Sequence, residues 1–269
     1  MHPQEQKNSP NGSSNSSPKD SYDQTTGSKA SYWQRQQFQK VLGHYALPGM
    51  HWLELGAGTG TDALWLTNRG IEITCTEPHP WMFAQLQAKT SDVVAIHALP
   101  LKAEQLDDLG KQVFDGAFSN FAALNCVEDL SAVAQALAAH LKAQAPVVLC
   151  LFNRQCGWEL ALGLVQGLSK GNPERLWRRQ VHQRLIEMQP GIAVSTFYHR
   201  PREIMQAFAP WFRLEARIGM GIGIPPAGWI LADRAPRFFQ ALHHLDMAWG
   251  KGLGFRSLGD HQIWCFTRR

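Results

Sequence analysis

No stretch of eighteen consecutive apolar residues occurs in the 269-residue chain, so no segment is a candidate for a membrane-spanning helix. Apolar groups are also nearly missing from the first thirty residues. The run Asn8-Ser9-Pro10-Asn11-Gly12-Ser13-Ser14-Asn15-Ser16-Ser17-Pro18 has nothing to bury against the entropy of ordering it. Residues 1–28 are therefore read as a disordered N-terminal tail. The same poverty removes the apolar core of a secretory signal, and a cytoplasmic location is the expectation. The five cysteines, Cys75, Cys126, Cys150, Cys156 and Cys265, are odd in number and scattered, mostly in apolar runs. That fits reduced, buried thiols better than a disulfide framework. No pair has zinc-ligand spacing, and no metal is expected.

Neither sign of charge dominates: 26 Lys and Arg face 22 Asp and Glu, a net charge of +4. The excess is local. Between Asn153 and Arg200 seven basic residues (Arg154, Lys170, Arg175, Arg178, Arg179, Arg184, Arg200) stand against Glu159, Glu174 and Glu187. Such a segment is either a solvated helix face or a surface that recognises an anionic substrate or a membrane. A hydrophobic content of 44% supports a sizeable core, and at this length roughly three quarters of the unfolded surface can be buried. Ten tryptophans are many; ordinary packing is the reading for Trp52, Trp65 and Trp264, which sit in or beside regular elements.

What the chain does have is the run Leu53-Glu54-Leu55-Gly56-Ala57-Gly58-Thr59-Gly60-Thr61. An apolar strand passes into three glycines spaced by single residues, a turn whose bare backbone N–H groups can close on a ligand. A helix follows from about Thr61. The third glycine comes one residue too early for a dinucleotide fingerprint, with Thr61 where that motif wants Gly or Ala, which disfavours a nicotinamide cofactor. No Gly-Lys-Ser/Thr closes the turn, so it is not a Walker A loop. A second apolar run, Ile71 to Thr76, ends in Glu77. That places a carboxylate at the carboxyl end of the next strand, where it can accept hydrogen bonds from both hydroxyls of a ribose. Bonds to a charged acceptor contribute roughly 1.5–3 kcal/mol each.

Strands and helices alternate after an amphipathic helix at 31–45 capped by Ser31: strand 51–55, helix 61–69, strand 71–76, helix 80–89, strands 93–97 and 114–119, helix 129–143, strand 147–152. This alternation predicts an α/β fold, a doubly wound, mostly parallel sheet covered by helices on both faces. Right-handed crossovers then gather the strand carboxyl ends, and the site, on one edge. Residues 154–195 show a helical, Trp- and Arg-bearing pattern without a clear strand, and 154–199 is read as an insertion folded over the site. A helix at 201–210 begins with a tolerated proline. Strands at 212–218 and 262–267 enclose a second insertion, 219–259. Its opening, Ile218 to Ala232, carries no charge and contains Pro225-Pro226, offering apolar surface beside the pocket.

Leu53 to Thr61, Glu77-Pro78 with Met82 beyond, and Phe114-Asp115-Gly116-Ala117-Phe118-Ser119-Asn120 resemble the successive motifs of class I S-adenosylmethionine-dependent methyltransferases, in particular the type 11 small-molecule branch. The resemblance covers residues 30–153 and thins thereafter. It implies a seven-stranded Rossmann-like sheet whose last two strands form an antiparallel edge, with S-adenosyl-L-methionine as cofactor. It also implies that Glu54, Gly56, Ala57, Gly58, Gly60 and Thr61 surround the methionine moiety, Glu77-Pro78 the ribose, Met82 the adenine face and Ala103-Glu104 the adenine edge. The family's usual acid after the third strand is replaced by Lys102. Asn120-Phe121 and Asn125 would meet the amino-acid end of the cofactor; for Asn125 a capping or turn role is an equal reading.

Ser119-Asn120-Phe121-Ala122 stands where DNA amine methyltransferases carry Asp/Asn-Pro-Pro-Tyr/Phe, and no Pro-Cys nucleophile is present. The implied acceptor is therefore a small molecule, not a nucleic acid. Its apolar body would match the uncharged second insertion and an anionic group the basic segment. Alignment supplies much of such a reaction, and a base at the acceptor is the remaining need. Candidates in the first insertion are Glu159, His182, Tyr198 and His199, each equally readable as a structural residue. His243, His244 and His261 do not suggest a metal pair. A regulatory protein that binds the cofactor without transferring its methyl group is the alternative from another class, and a nicotinamide-dependent oxidoreductase is the weaker third reading. The number of subunits is not legible.

Overall fold

The computed structural model describes residues 27–170, 182–189, 192–227, 229 and 231–269; the disorder reading for residues 1–26 lies outside them. Helix α1 spans Lys29–Leu42. Its cap is Ser28, whose side chain accepts from the backbone N–H of Ser31. A side-chain oxygen in the residue before the helix reaches the third helical N–H, which a serine already inside the first turn does not. Ser28 is buried, so the reading of residues 27–28 as tail and of Ser31 as cap is corrected.

From there the elements run β1 His51–Leu55, α2 Thr61–Thr67, β2 Glu72–Thr76, α3 Pro80–Thr90, β3 Ile96–Leu99, β4 Gly116–Ser119, α4 Leu130–Ala139 and β5 Pro146–Phe152. They continue with α5 Gly157–Lys170, β6 Gln183–Gln189, β7 Ile192–Phe197, α6 Pro201–Phe208, β8 Phe212–Met220, α7 Leu231–Arg234, α8 Pro236–Trp249 and β9 His261–Arg268. The main sheet has seven strands in the order β3-β2-β1-β4-β5-β9-β8. Strands β1 to β5 pair in parallel. β9 runs antiparallel to both β5 and β8, so β9 alone is inverted and β8 regains the common direction at the edge.

Alternating side chains split each strand between two cores. Leu53, Leu55, Ala117, Val147 and Leu149 pack with Val133 and Leu137 of α4 and Phe208 of α6. Trp52, Ile73, Cys75, Phe118 and Val148 pack with Phe38 of α1, Leu66 of α2 and Leu86 of α3 on the opposite face. The sheet is thus covered on both sides, as the alternation predicts. Trp52 and Trp264 are fully buried, and Trp65 stacks under the Arg69 guanidinium.

Two expectations for the C-terminal half need correction. The first insertion contains a two-stranded antiparallel sheet, β6 with β7, where no strand was expected. Gln183-Arg184-Leu185 lacks a clean alternation because Leu185 lies exposed, and the available signal was Pro190-Gly191, a turn dipeptide between two strand-length runs. The uncharged stretch from Ile218 does not lie open as apolar surface over its described part: Met220 and Ile224 are fully buried. Asp246 of α8 accepts from the backbone N–H groups of Ile222 and Gly223 at 3.1 and 2.6 Å, tying the stretch down from inside. Burial holds the Asp246 carboxyl up at about 6 despite these bonds. β3 begins three residues later than expected, the chain before it turning between Thr90 and Ile96.

Candidate functional site

The strand order reverses between β1 and β4, and in open α/β sheets the crevice at that switch point is where ligands bind. The glycine turn leaves β1 and the segment Asn120-Phe121-Ala122 leaves β4 on its two sides. Gly56 has φ +69°, and a Cβ there would lie 2.4 Å from Cβ of Ala123. Gly60, with φ +79°, would drive a Cβ to 2.4 Å from Leu86 Cδ1. Both positions demand glycine for conformation and for space. Phe121 and Ala122 also have positive φ, 46° and 61°, a conformation that costs a residue with a side chain roughly 1–3 kcal/mol.

Glu77 follows β2 and reaches back across the turn. Its Oε2 accepts from the Gly58 N–H and its Oε1 from the His79 N–H, both at 2.8 Å. The carboxylate is 5% exposed, and burial raises its pKa against the opposing pull of these two bonds. The Ala57 N–H is committed to Thr76. Pro78 is exposed, and Met82 lies half-buried in the first turn of α3. Ala103 and Glu104 follow β3, half-buried and exposed. Crowding around the sulfur, and then the carboxylates of Glu77 and Glu104, push the Cys126 thiol up, so Glu77, Glu104 and Cys126 share one neighbourhood.

Glu54 is buried beneath the turn on the same face as Trp52. Burial, and then Asp62, hold its carboxyl well above the usual range, and Cys75 donates to it at 3.6 Å. Asp62, one residue beyond Thr61, collects three donors: the Arg35 guanidinium, Gln39 Nε2 at 2.8 Å and Asn120 Nδ2 at 2.8 Å. Sequence reasoning missed this hub because Asp62 of α2 draws its partners from α1 and the end of β4. Asn120 Oδ1 also accepts from the Phe121 N–H at 2.7 Å, so its amide shapes the turn after β4. Asn125 is fully buried and occupied in the same way, donating to the Phe197 carbonyl at 2.6 Å and accepting from the Phe152 N–H at 2.9 Å. These bonds bridge segments distant in sequence and make neither a local cap nor a turn.

The four candidate bases part company. Tyr198 is buried beside Phe152, ring centroids 5.7 Å apart, at the carboxyl end of β5. The next side chain points elsewhere: His199 Nε2 lies 2.9 Å from the Val127 carbonyl, and burial lowers its pKa. With His182 it lines a separate recess of about 120 Å³ walled by Glu128, Ser131 and Glu203. Glu159 sits in the first turn of α5, next to Trp158, which packs on Phe239. Phe121 instead faces the Arg35 guanidinium at 4.6 Å and the edge of His261 at 6.0 Å. Among the described residues no group of three His, Cys, Asp or Glu is placed to hold a metal ion, and no helix is long and apolar enough to cross a membrane.

No curated protein matches the sequence. Among solved structures, an S-adenosylmethionine-dependent methyltransferase of Mesorhizobium loti is 16% identical with a TM-score of 0.55, covering 88% of this chain and 98% of its own. The CcbJ methyltransferase of Streptomyces caelestis is 14% identical with a TM-score of 0.57, covering 91% and 98%. A 1,6-didemethyltoxoflavin-N1-methyltransferase of Burkholderia thailandensis, holding its toxoflavin precursor and S-adenosylhomocysteine, is 16% identical with a TM-score of 0.50, covering 88% and 78%. At these identities the likeness is one of fold. A family model described as a methyltransferase domain matches residues 53–147. That match runs from β1 through the glycine turn to the start of β5, and the strand order is the one these methyltransferases share in fold.

Proposed function

We propose that the chain transfers a methyl group from S-adenosyl-L-methionine to an O, N or C atom of a small molecule. The observation that carries this reading is the Glu77 carboxylate, held 2.8 Å from the Gly58 N–H across a turn where two of the glycines have no room for a Cβ. When bound, the cofactor supplies a methyl group on a sulfonium. Glu77 would hold its ribose, the backbone of Gly56 to Gly60 its amino-acid end, and Met82 with Ala103-Glu104 its adenine. Glu77 keeps lone pairs beyond those used by Gly58 and His79, so it can accept from hydroxyls without releasing the turn.

Asp62 contributes negative charge under the turn, complementary to a cationic sulfonium and ammonium, and the Arg35 and Asn120 bonds keep it in place. The half-buried Phe121 and Phe152 present apolar rings where the acceptor would lie. The acceptor therefore has an apolar body, and the basic residues of 154–199 favour an anionic group on it. Residues 154–199 act as the cover and 219–259 as a second acceptor-side wall of one domain, and the protein works in the cytoplasm.

Calorimetry on ligand-free protein tests the reading. S-adenosylhomocysteine should bind to wild type and weakly or not at all to Gly58→Val. Absence of heat with wild type refutes the cofactor site. Radiolabel transfer from the methyl donor into fractions of a small-molecule extract then tests the acceptor class.

A further inference from the structure

β9 is the one inverted strand, so its first residue falls on the edge where β5 and β8 end: His261 pairs with Phe152 and with Met220. The His261 ring stacks on Phe152, centroids 4.6 Å apart and planes 23° from parallel. It meets Phe121 edge-on, and Phe152 continues to Tyr198. Two aromatic rings from separate segments thus contact one imidazole on the acceptor side of the crevice, with Tyr198 packed beyond Phe152.

Behind the imidazole stands Asp260, 2% exposed, with Oδ2 3.1 Å from His261 Nδ1. The direction is out of line for a hydrogen bond, and Nδ1 is buried without one. Gln34 of α1 places Nε2 3.5 Å from the same carboxylate oxygen, while its own Oε1 is fully buried and unpartnered. Buried polar atoms normally find partners; these two lie around one carboxylate at the rim of an aromatic floor. Charged groups nearby include Arg35 over Phe121 and its partner Asp62, and Tyr198 packs on Phe152.

Resting on the methyltransferase reading above, we infer that His261, backed by Asp260, is the acid–base group for the acceptor, and that the acceptor is a planar aromatic molecule bearing an acidic O–H or ring N–H. The rings of Phe121 and Phe152 receive the planar body. The acceptor's O–H or N–H bond breaks, its proton goes to the imidazole, and the electron pair stays on the acceptor atom. The positive charge arising on His261 is balanced by Asp260 at 3.1 Å, and the proton leaves later to water. A carboxylate behind the imidazole supplies the opposite charge close to the ring as the proton arrives. None of the four bases named from the sequence has this combination of aromatic floor and buried acid.

The test uses 4-nitrophenol, whose phenolate is coloured, with full-length protein saturated with S-adenosylhomocysteine at a pH where the free phenol is mostly protonated. Wild type should bind the dye and raise its phenolate fraction above that in buffer. In His261→Gln the bound dye should show no more phenolate than free dye. In Asp260→Asn the gain should fall about tenfold, as expected when an opposite charge this close is removed. A wild-type phenolate band in His261→Gln, or no dye binding to the loaded protein, overturns the assignment. Affinity for S-adenosylhomocysteine should stay within about twofold in both variants, since neither residue lies at the cofactor turn. If His261→Gln does not fold, an undiminished phenolate gain in Asp260→Asn overturns the assignment alone. If wild type binds no S-adenosylhomocysteine, the cofactor reading itself fails and the acceptor site with it.

Discussion

Gly56→Ala should destabilise the protein through two separable effects. At φ +69° an alanine incurs the left-handed penalty of about 1–2 kcal/mol. Its Cβ would also stand 2.4 Å from that of Ala123, and forcing such a contact apart costs typically 1–3 kcal/mol. Together these amount to roughly 2–5 kcal/mol, or a fall in Tm of very roughly 4–20 °C for a domain of this size. Gly49 supplies the control, with φ +83° and no atom within 4 Å of the place a Cβ would take, so Gly49→Ala should lose only the first part. Removing the opposing methyl in Gly56→Ala/Ala123→Gly should recover the second part, after correction for the single change, giving a coupling energy of about 1–3 kcal/mol. Urea unfolding of these variants and wild type, followed by circular dichroism, measures all of these. If Gly56→Ala costs no more than Gly49→Ala, or if Ala123→Gly relieves nothing, the tight approach of the two turns is not what requires glycine.

Glu77→Ala should weaken S-adenosylhomocysteine about 10- to 100-fold in calorimetry, the net loss of about one charge-assisted bond worth roughly 1.5–3 kcal/mol; unchanged affinity would remove the ribose assignment. Asn125→Ala leaves the Phe197 carbonyl and the Phe152 N–H without partners, which should cost about 2–4 kcal/mol in urea unfolding, and a loss below about 0.5 kcal/mol would contradict its bridging role. The Asp246 carboxyl is held up at about 6 against 3.8, so the folded state keeps its proton where the unfolded chain has lost it. That contribution is fully present below pH 3.8 and disappears as pH rises through about 6, a change of about 3 kcal/mol. Asp246→Asn should flatten the pH dependence of unfolding in that window, and an unaltered slope would refute the burial argument.

The sequence alone reached the α/β class, the parallel core and the glycine turn, because these are local: alternation of apolar residues decides strand faces, and a turn without side chains announces itself within nine residues. Glu77 was legible for the same reason, being the last residue of a readable strand. The hairpin of β6 and β7 and the inner course of the uncharged stretch were not, since Leu185 is exposed and Ile222 and Gly223 are held by a distant Asp246. Nor could spacing separate Tyr198 from His199, or show that Asn125 commits both ends of its amide to Phe197 and Phe152. The grouping of Arg35, Asp62 and Asn120, and of Phe121, Phe152 and His261, was decided only by the closed sheet. Each joins residues from separate elements, and the inverted β9 carries His261 to an edge that the forward strands reach from the opposite direction.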